Sequence, residues 1–175
     1  MYDTLGGILR AVPPTANLSL RKGRRMDVIQ ARWAKNRQFV GWDSKNHGIV
    51  MDTPADGSGE GTGWRPVELL LLGLAGCTGV DVVSVLEKKR EDVRGLEIEV
   101  SGEPYLDGFP HYYQTIEVVY KVTGVGIKPE SVAHAIELSE GKYCSVKGCL
   151  GPQCVVTTRF EITEFEPQIG PKSRR

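Results

Sequence analysis

The chain lacks a charge of either sign to spare: Lys and Arg together number 22, and Asp and Glu also number 22. A balanced surface has no field to draw in a polyanion, and the aromatics are not interleaved with a basic stripe, so nucleic acid is not an expected partner. A long unbroken apolar run is also missing. The longest, Val67–Val80, is interrupted by Glu68, Gly73, Gly76 and Gly79 and falls short of the ~20 residues that cross a bilayer. The first residues put Asp3 where a secretory leader has its basic start, and Leu5–Leu9 is too short for a leader's apolar segment. The expectation is a cytoplasmic protein with no membrane partner.

Other absences narrow the chemistry. The paired C-x2-4-C knuckles of structural zinc sites do not occur, and His47, His111 and His134 stand apart in sequence from every cysteine, so no metal is expected. No glycine-rich phosphate loop follows a strand pattern, which argues against a nucleotide; no cofactor is expected. Repeats and low-complexity tracts are missing too.

What is present suits one soluble domain, 40% hydrophobic and 25% charged over 175 residues. Residues 1–25, with Pro13-Pro14 and the basic run Arg21–Arg25, read as a flexible N-terminal extension, Met26 being an alternative natural start. Residues 26–164 form the domain and 165–175 a loose tail. Within the domain, Asp27–Trp33, Gln38–Trp42 and Ile49–Met51 read as a meander of three strands, followed by a Gly- and Asp-rich loop. Arg65–Arg90 reads as a long helix: Pro66 at its start, Glu68 in its first turn, and Lys88, Lys89 and Arg90 at its end all suit the helix dipole. It is apolar on nearly every side, which predicts a central, buried element. Alternation then predicts strands over Gly95–Gly102, Tyr112–Val122 and Gln153–Thr163, with a second helix at Glu130–Glu140. The order three strands, long helix, two strands, helix, strand predicts an α+β fold with an antiparallel sheet.

Chemistry concentrates on the long helix. Cys77 lies in its middle between Gly76 and Gly79, and Gly73, Gly76 and Gly79 make a smooth stripe. Each glycine costs roughly 1 kcal/mol against alanine in a helix, so a close neighbour is expected along that stripe. Cys144, Cys149 and Cys154 recur five apart near the end of the domain; the last two read as packing residues.

The Pro-x-Glu-Leu helix start, the Gly-Cys nine residues after that Glu, the run Asp81-Val82-Val83-Ser84 ending in Lys88-Lys89-Arg90, and the later Lys142-Tyr143-Cys144-Ser145-Val146 together resemble the OsmC/Ohr family. The resemblance covers roughly Met26 to Glu164. It implies an OsmC-like fold, antiparallel sheets wrapped around a long Cys-bearing helix in an intertwined homodimer, with sites at the subunit interface. It further implies a thiol peroxidase that reduces organic hydroperoxides and is recycled by a dithiol such as a dihydrolipoyl group. By position Cys77 would be the peroxidatic thiol and Cys144 the resolving one. The family's activating Glu lies ten residues before the cysteine, where this chain has Val67; Glu68 is nine before, on the opposite side of a regular helix. Glu68 and Arg37, in the first hairpin, are the candidates for the activating carboxylate and arginine, with Arg32 and Arg65 behind Arg37. A second reading stays open: an OsmC-fold protein that binds a small apolar or electrophilic molecule, or carries sulfur on Cys77.

Overall fold

The computed structural model describes residues 27–166. The extension expected at 1–25 lies outside these residues, as does the tail beyond 166. Strands β1 (Gln30–Lys35), β2 (Gln38–Trp42) and β3 (Gly48–Met51) form an antiparallel meander in the order β1-β2-β3. The β1–β2 turn needs a left-handed residue, supplied by Asn36 at φ 45°. Lys35 and Asn36 both reach Glu60 at 2.8 Å, tying this hairpin to the loop that precedes the long helix.

That loop is folded around one buried carboxylate. Asp52 accepts hydrogen bonds from the N–H groups of Thr53, Glu60 and Thr62 and from Thr62 Oγ1, at 2.8–3.2 Å. Burial alone would raise its pKa, but these donations stabilise the anion and leave it below the ordinary value. Close approach also demands Gly63, where a Cβ would lie 2.7 Å from the Val50 carbonyl oxygen.

Helix α1 (Glu68–Lys88) starts later than the sequence predicts, because Pro66 and Val67 form a turn in front of it. It closes with Arg90 in the left-handed region at φ 61°. Then come β4 (Asp92–Pro104), β5 (Tyr113–Val125), α2 (Pro129–Leu138), a π-helical turn over Ser139–Tyr143, α3 (Ser145–Cys149) and β6 (Val155–Glu164). Pro129 occupies the first turn of α2, and the helix ends at Leu138, short of the predicted Glu140, where the chain widens into the π turn.

The sheet prediction needs a correction. β4 and β5 are antiparallel, but β6 lies parallel to β5, with Thr115 opposite Val155 and Gly124 opposite Glu164. The connection through α2 and α3 carries the chain across the sheet and back to its starting end, and a crossover of that length yields a parallel neighbour. The fold is α+β with two sheets, one antiparallel and one mixed.

The core lies where α1 and α2 meet the β4-β5-β6 sheet. Leu74, Val82, Val85 and Leu86 of α1 pack with Ile116, Val118, Tyr120 and Val122 of β5 and with Val132, Ala135 and Ile136 of α2. Ile116, Val118 and Tyr120 share the inward face that their alternation predicts, and Leu96, Ile98 and Val100 of β4 pack against the same cluster.

α1 is not buried all round. Leu70, Leu72 and Val80 stay exposed, Val80 at 73%. On length and composition alone this 21-residue helix, with a mean hydropathy of 2.1 over its most apolar 18 residues, would cross a bilayer. Its buried face against β4, α2 and α3 is instead that of a core helix in a folded domain. The first sheet is left more open still: every residue of β1 is exposed, as are Phe39, Val40 and Val50.

Candidate functional site

Cys77 projects from the middle of α1 toward the π turn and α3, half-buried against the core. Cys144 follows the π turn and caps α3: the Lys147 N–H donates to its Sγ at 3.4 Å. It is buried, 7% exposed. The fold brings these two thiols, remote in sequence, close to one another, and both are free. Burial pushes the Cys144 pKa up and the adjacent Cys77 thiol pushes it further, against the pull of the Lys147 N–H. Cys144 is thus held as a neutral thiol beside Cys77.

Asp81, one turn after Cys77, faces the same region. Its carboxylate is engaged by Ser139 Oγ at 2.9 Å, a donor at the start of the π turn that is itself fully buried. Glu140, next in that turn, pairs with Lys147 Nζ at 2.9 Å. The wider π turn therefore presents Ser139 and Glu140 inward just ahead of Cys144; such turns recur at functional sites.

Glu68 lies elsewhere. It accepts from the Arg65 N–H at 3.0 Å and from Arg65 Nε at 2.7 Å. Both bonds, the backbone one first, hold its pKa below the ordinary carboxylate value. The pair faces a cleft of about 440 Å³ with Leu71, Ala75, Ile98 and Tyr113 around it, on the β4 side of α1 and away from the thiols. Half a turn of mismatch over nine residues separates carboxylate from cysteine, as helix geometry requires. Arg37 sits exposed in the β1–β2 turn and Arg32 lies over the Trp42 ring at 5.6 Å. Among the described residues no hydrogen bond joins an arginine to either thiol. The structure thus unites Cys77 with Cys144, and Glu68 with Arg65, and leaves Arg37 apart from both pairs.

Cys149 and Cys154 line an apolar cavity of about 330 Å³ with Val67, Leu70, Tyr112 and Leu150. Cys154 is a packing residue whose burial raises its pKa, whereas Cys149, read as packing, is exposed. The sequence reading did not reach Tyr120, Ser139, Glu140 or Lys147. The first looked like one more inward strand residue, Ser139 and Glu140 belong to an irregular turn with no periodicity to flag them, and Lys147 lies on a helix of only five residues.

The description "OsmC-like protein" belongs to a family model that matches residues 58–159. This chain is a member of the OsmC-like family. It is 34% identical to protein YhfA of Escherichia coli K12 over 136 residues, 77% of this chain and 98% of that relative. Among solved structures, a hypothetical protein from Aquifex aeolicus superposes with TM-score 0.71 at 27% identity, covering 82% of this chain and all of that one. An organic hydroperoxide resistance protein OsmC from Legionella pneumophila superposes with TM-score 0.61 at 13% identity, over 79% of this chain and 98% of that one. The latter likeness is one of fold. In this OsmC-like chain, the matched segment contains both thiols and the Arg65–Glu68 pair.

Proposed function

We propose that this protein reduces organic hydroperoxides with a cysteine pair, Cys77 as peroxidatic and Cys144 as resolving thiol. One observation carries the reading: α1 and the π turn present these two sulfurs to one another. Cys77 would attack the peroxide oxygen, releasing the alcohol and becoming a sulfenic acid. Cys144 then condenses with it to a disulfide, which a dithiol such as a dihydrolipoyl group reopens by exchange. Organic hydroperoxide resistance proteins share this fold, which accords with the chemistry.

The working unit in this proposal is a homodimer. A three-stranded sheet with a wholly exposed strand, and a central helix with an exposed apolar flank, leave much apolar surface to cover. At Gly76 a Cβ would meet nothing within 4 Å in the single chain, so the close neighbour inferred from the glycines would belong to a second copy. An activating arginine would come from that copy too, Arg37 being carried on a hairpin that stands clear of its own thiols.

The alternative, an OsmC-fold protein that binds an apolar or electrophilic molecule or carries sulfur on Cys77, is favoured by two features. Glu68 is committed to Arg65 on the far side of α1, and an apolar cavity adjoins α3. Turnover of cumene hydroperoxide with dihydrolipoamide separates the readings. The peroxidase proposal expects activity in wild type, none in Cys77→Ser, and a trapped sulfenic acid in Cys144→Ser. A wild type that neither turns over nor forms a peroxide-dependent Cys77–Cys144 disulfide rejects it.

A further inference from the structure

One cavity is left without a use by the reaction above. It measures about 330 Å³ and is enclosed by three segments: Val67 and Leu70 around the start of α1, His111 and Tyr112 from the β4–β5 connection, and Val146 and Leu150 from α3 and its end. Among the described residues that line it, neither Cys77 nor Cys144 is present. Leu70 stands seven residues before Cys77, two turns and about 10 Å back along α1. Gly73 lies between them, where a Cβ would meet Val146 at 3.9 Å.

The walls say what would fit. The cleft on the other side of α1 has the Arg65–Glu68 ion pair in its wall. Among the described residues around this cavity, by contrast, none is Asp, Glu, Lys or Arg. A charged ligand would lose its water there and find no counter-charge, which is costly. The polar groups are the His111 ring and the Gln153 amide, and among the described residues neither makes a hydrogen bond. Gln153 folds over the cavity because its neighbour in the wall is Gly151, where a Cβ would collide with the amide. Aromatic rings stand at the edge: Tyr112 stacks on Tyr105 with centroids 5.0 Å apart, and His111 on Phe109 at 4.5 Å. Apolar walls with a few placed polar groups are the make-up of a small-molecule site, and this volume is near the lower end of the range, so the ligand is small.

We propose that this cavity binds a small uncharged aromatic molecule carrying one hydroxyl or carbonyl group, with the His111 ring and the Gln153 amide as its hydrogen-bond partners. The inference rests on the ligand-binding reading above, to which it gives a site and a ligand class. It does not rest on the peroxidase chemistry, because the cavity stands apart from both thiols. Cys149 and Cys154 also line the cavity and so report on its occupancy.

The full-length protein is titrated with 2-acetylnaphthalene at neutral pH, and alkylation of each cysteine by N-ethylmaleimide is followed by peptide mass spectrometry. The expected result is saturable slowing at Cys149 and Cys154. 2-Naphthoate, the charged near-isostere, should bind at least about tenfold more weakly, since its carboxylate would be unpaired. Gln153→Leu should weaken the ketone about 2–10-fold, the worth of one hydrogen bond, and leave naphthalene itself unchanged. Leu70→Trp, at a half-exposed position that tolerates bulk, should fill the cavity and abolish protection. Absence of protection in wild type overturns the inference, as does protection of Cys77 alone, which would put the ligand at the thiol pair. Naphthoate binding as tightly as the ketone overturns it too. So does alkylation of Cys149 and Cys154 that responds to protein concentration and not to ligand, which would mean that a second copy fills the cavity. Peroxide turnover is measured separately, and its loss or presence leaves these outcomes unchanged.

Discussion

Gly76→Ala tests the dimer proposal by the sign of its effect. Gly76 lies inside α1, exposed, and a Cβ built on it meets no atom within 4 Å. In an isolated chain alanine there should therefore bring the whole helix-propensity gain of roughly 1 kcal/mol, since nothing clashes and the unfolded state loses freedom. For a domain of this size that is a rise of about 2–4 °C in melting temperature. If α1 instead packs through its glycine stripe on a second copy, the added methyl overpacks that contact and costs about 1–3 kcal/mol, reversing the sign. The neighbouring glycines serve as internal references. A Cβ at Gly73 makes only ordinary contact with Val146 at 3.9 Å, whereas one at Gly79 comes within 2.9 Å of Ile98 Cδ1 in the same chain, so its helix-propensity gain is partly offset in either state by moving that terminal methyl. The assay is thermal unfolding paired with sedimentation velocity at low and high protein concentration. The expected outcome is a lowered melting temperature and weakened self-association for Gly76→Ala. A stabilised variant of unchanged mass would refute the reasoning, and with it the idea that a second copy covers the stripe.

Other consequences are as direct. Leu86→Ala removes a side chain with no exposure from the α1–sheet core and should cost about 2–5 kcal/mol in urea unfolding; a loss below 1 kcal/mol would mean that α1 is not seated as described. Tyr120→Phe deletes a hydroxyl without a partner, so its stability should stay within about 1 kcal/mol of wild type. A larger loss would show that the hydroxyl is bonded after all. Glu68 has a folded pKa below its ordinary 4.5, so its pairing with Arg65 adds stability above about pH 4.5 that disappears as pH falls through the lowered value. Glu68→Gln should flatten that part of the acid limb in a series of urea midpoints, and parallel limbs in both proteins would contradict the assignment. In Cys77→Ser, alkylation of Cys144 should keep rising with pH beyond the 9.0 of an ordinary thiol, because burial, the first cause of its raised pKa, remains. Half-maximal alkylation at or below 9.0 would refute this.

Much of this architecture could be read from the residues in order. Period-two alternation located Ile116, Val118 and Tyr120 on one inward face, because a strand's side chains must alternate. The apolar run after Pro66 announced α1, and helix geometry alone separated Glu68 from Cys77, since nine steps of about 100° end on the opposite side. Two cysteine-bearing motifs in sequence order were enough to indicate the family.

Tertiary structure decided the rest. Strand alternation is blind to direction, so only the crossover through α2 and α3 made β6 parallel to β5. An all-round apolar helix reads as buried on every side, yet within one chain the sheet and α2 cover a single face. The π turn has no sequence period, and it alone sets Ser139 and Glu140 beside Asp81 and Lys147. The sequence supplied the two thiols and the helix that carries one of them. Their meeting depended on contacts between segments that no local pattern encodes, because burial and pairing are properties of the assembled core.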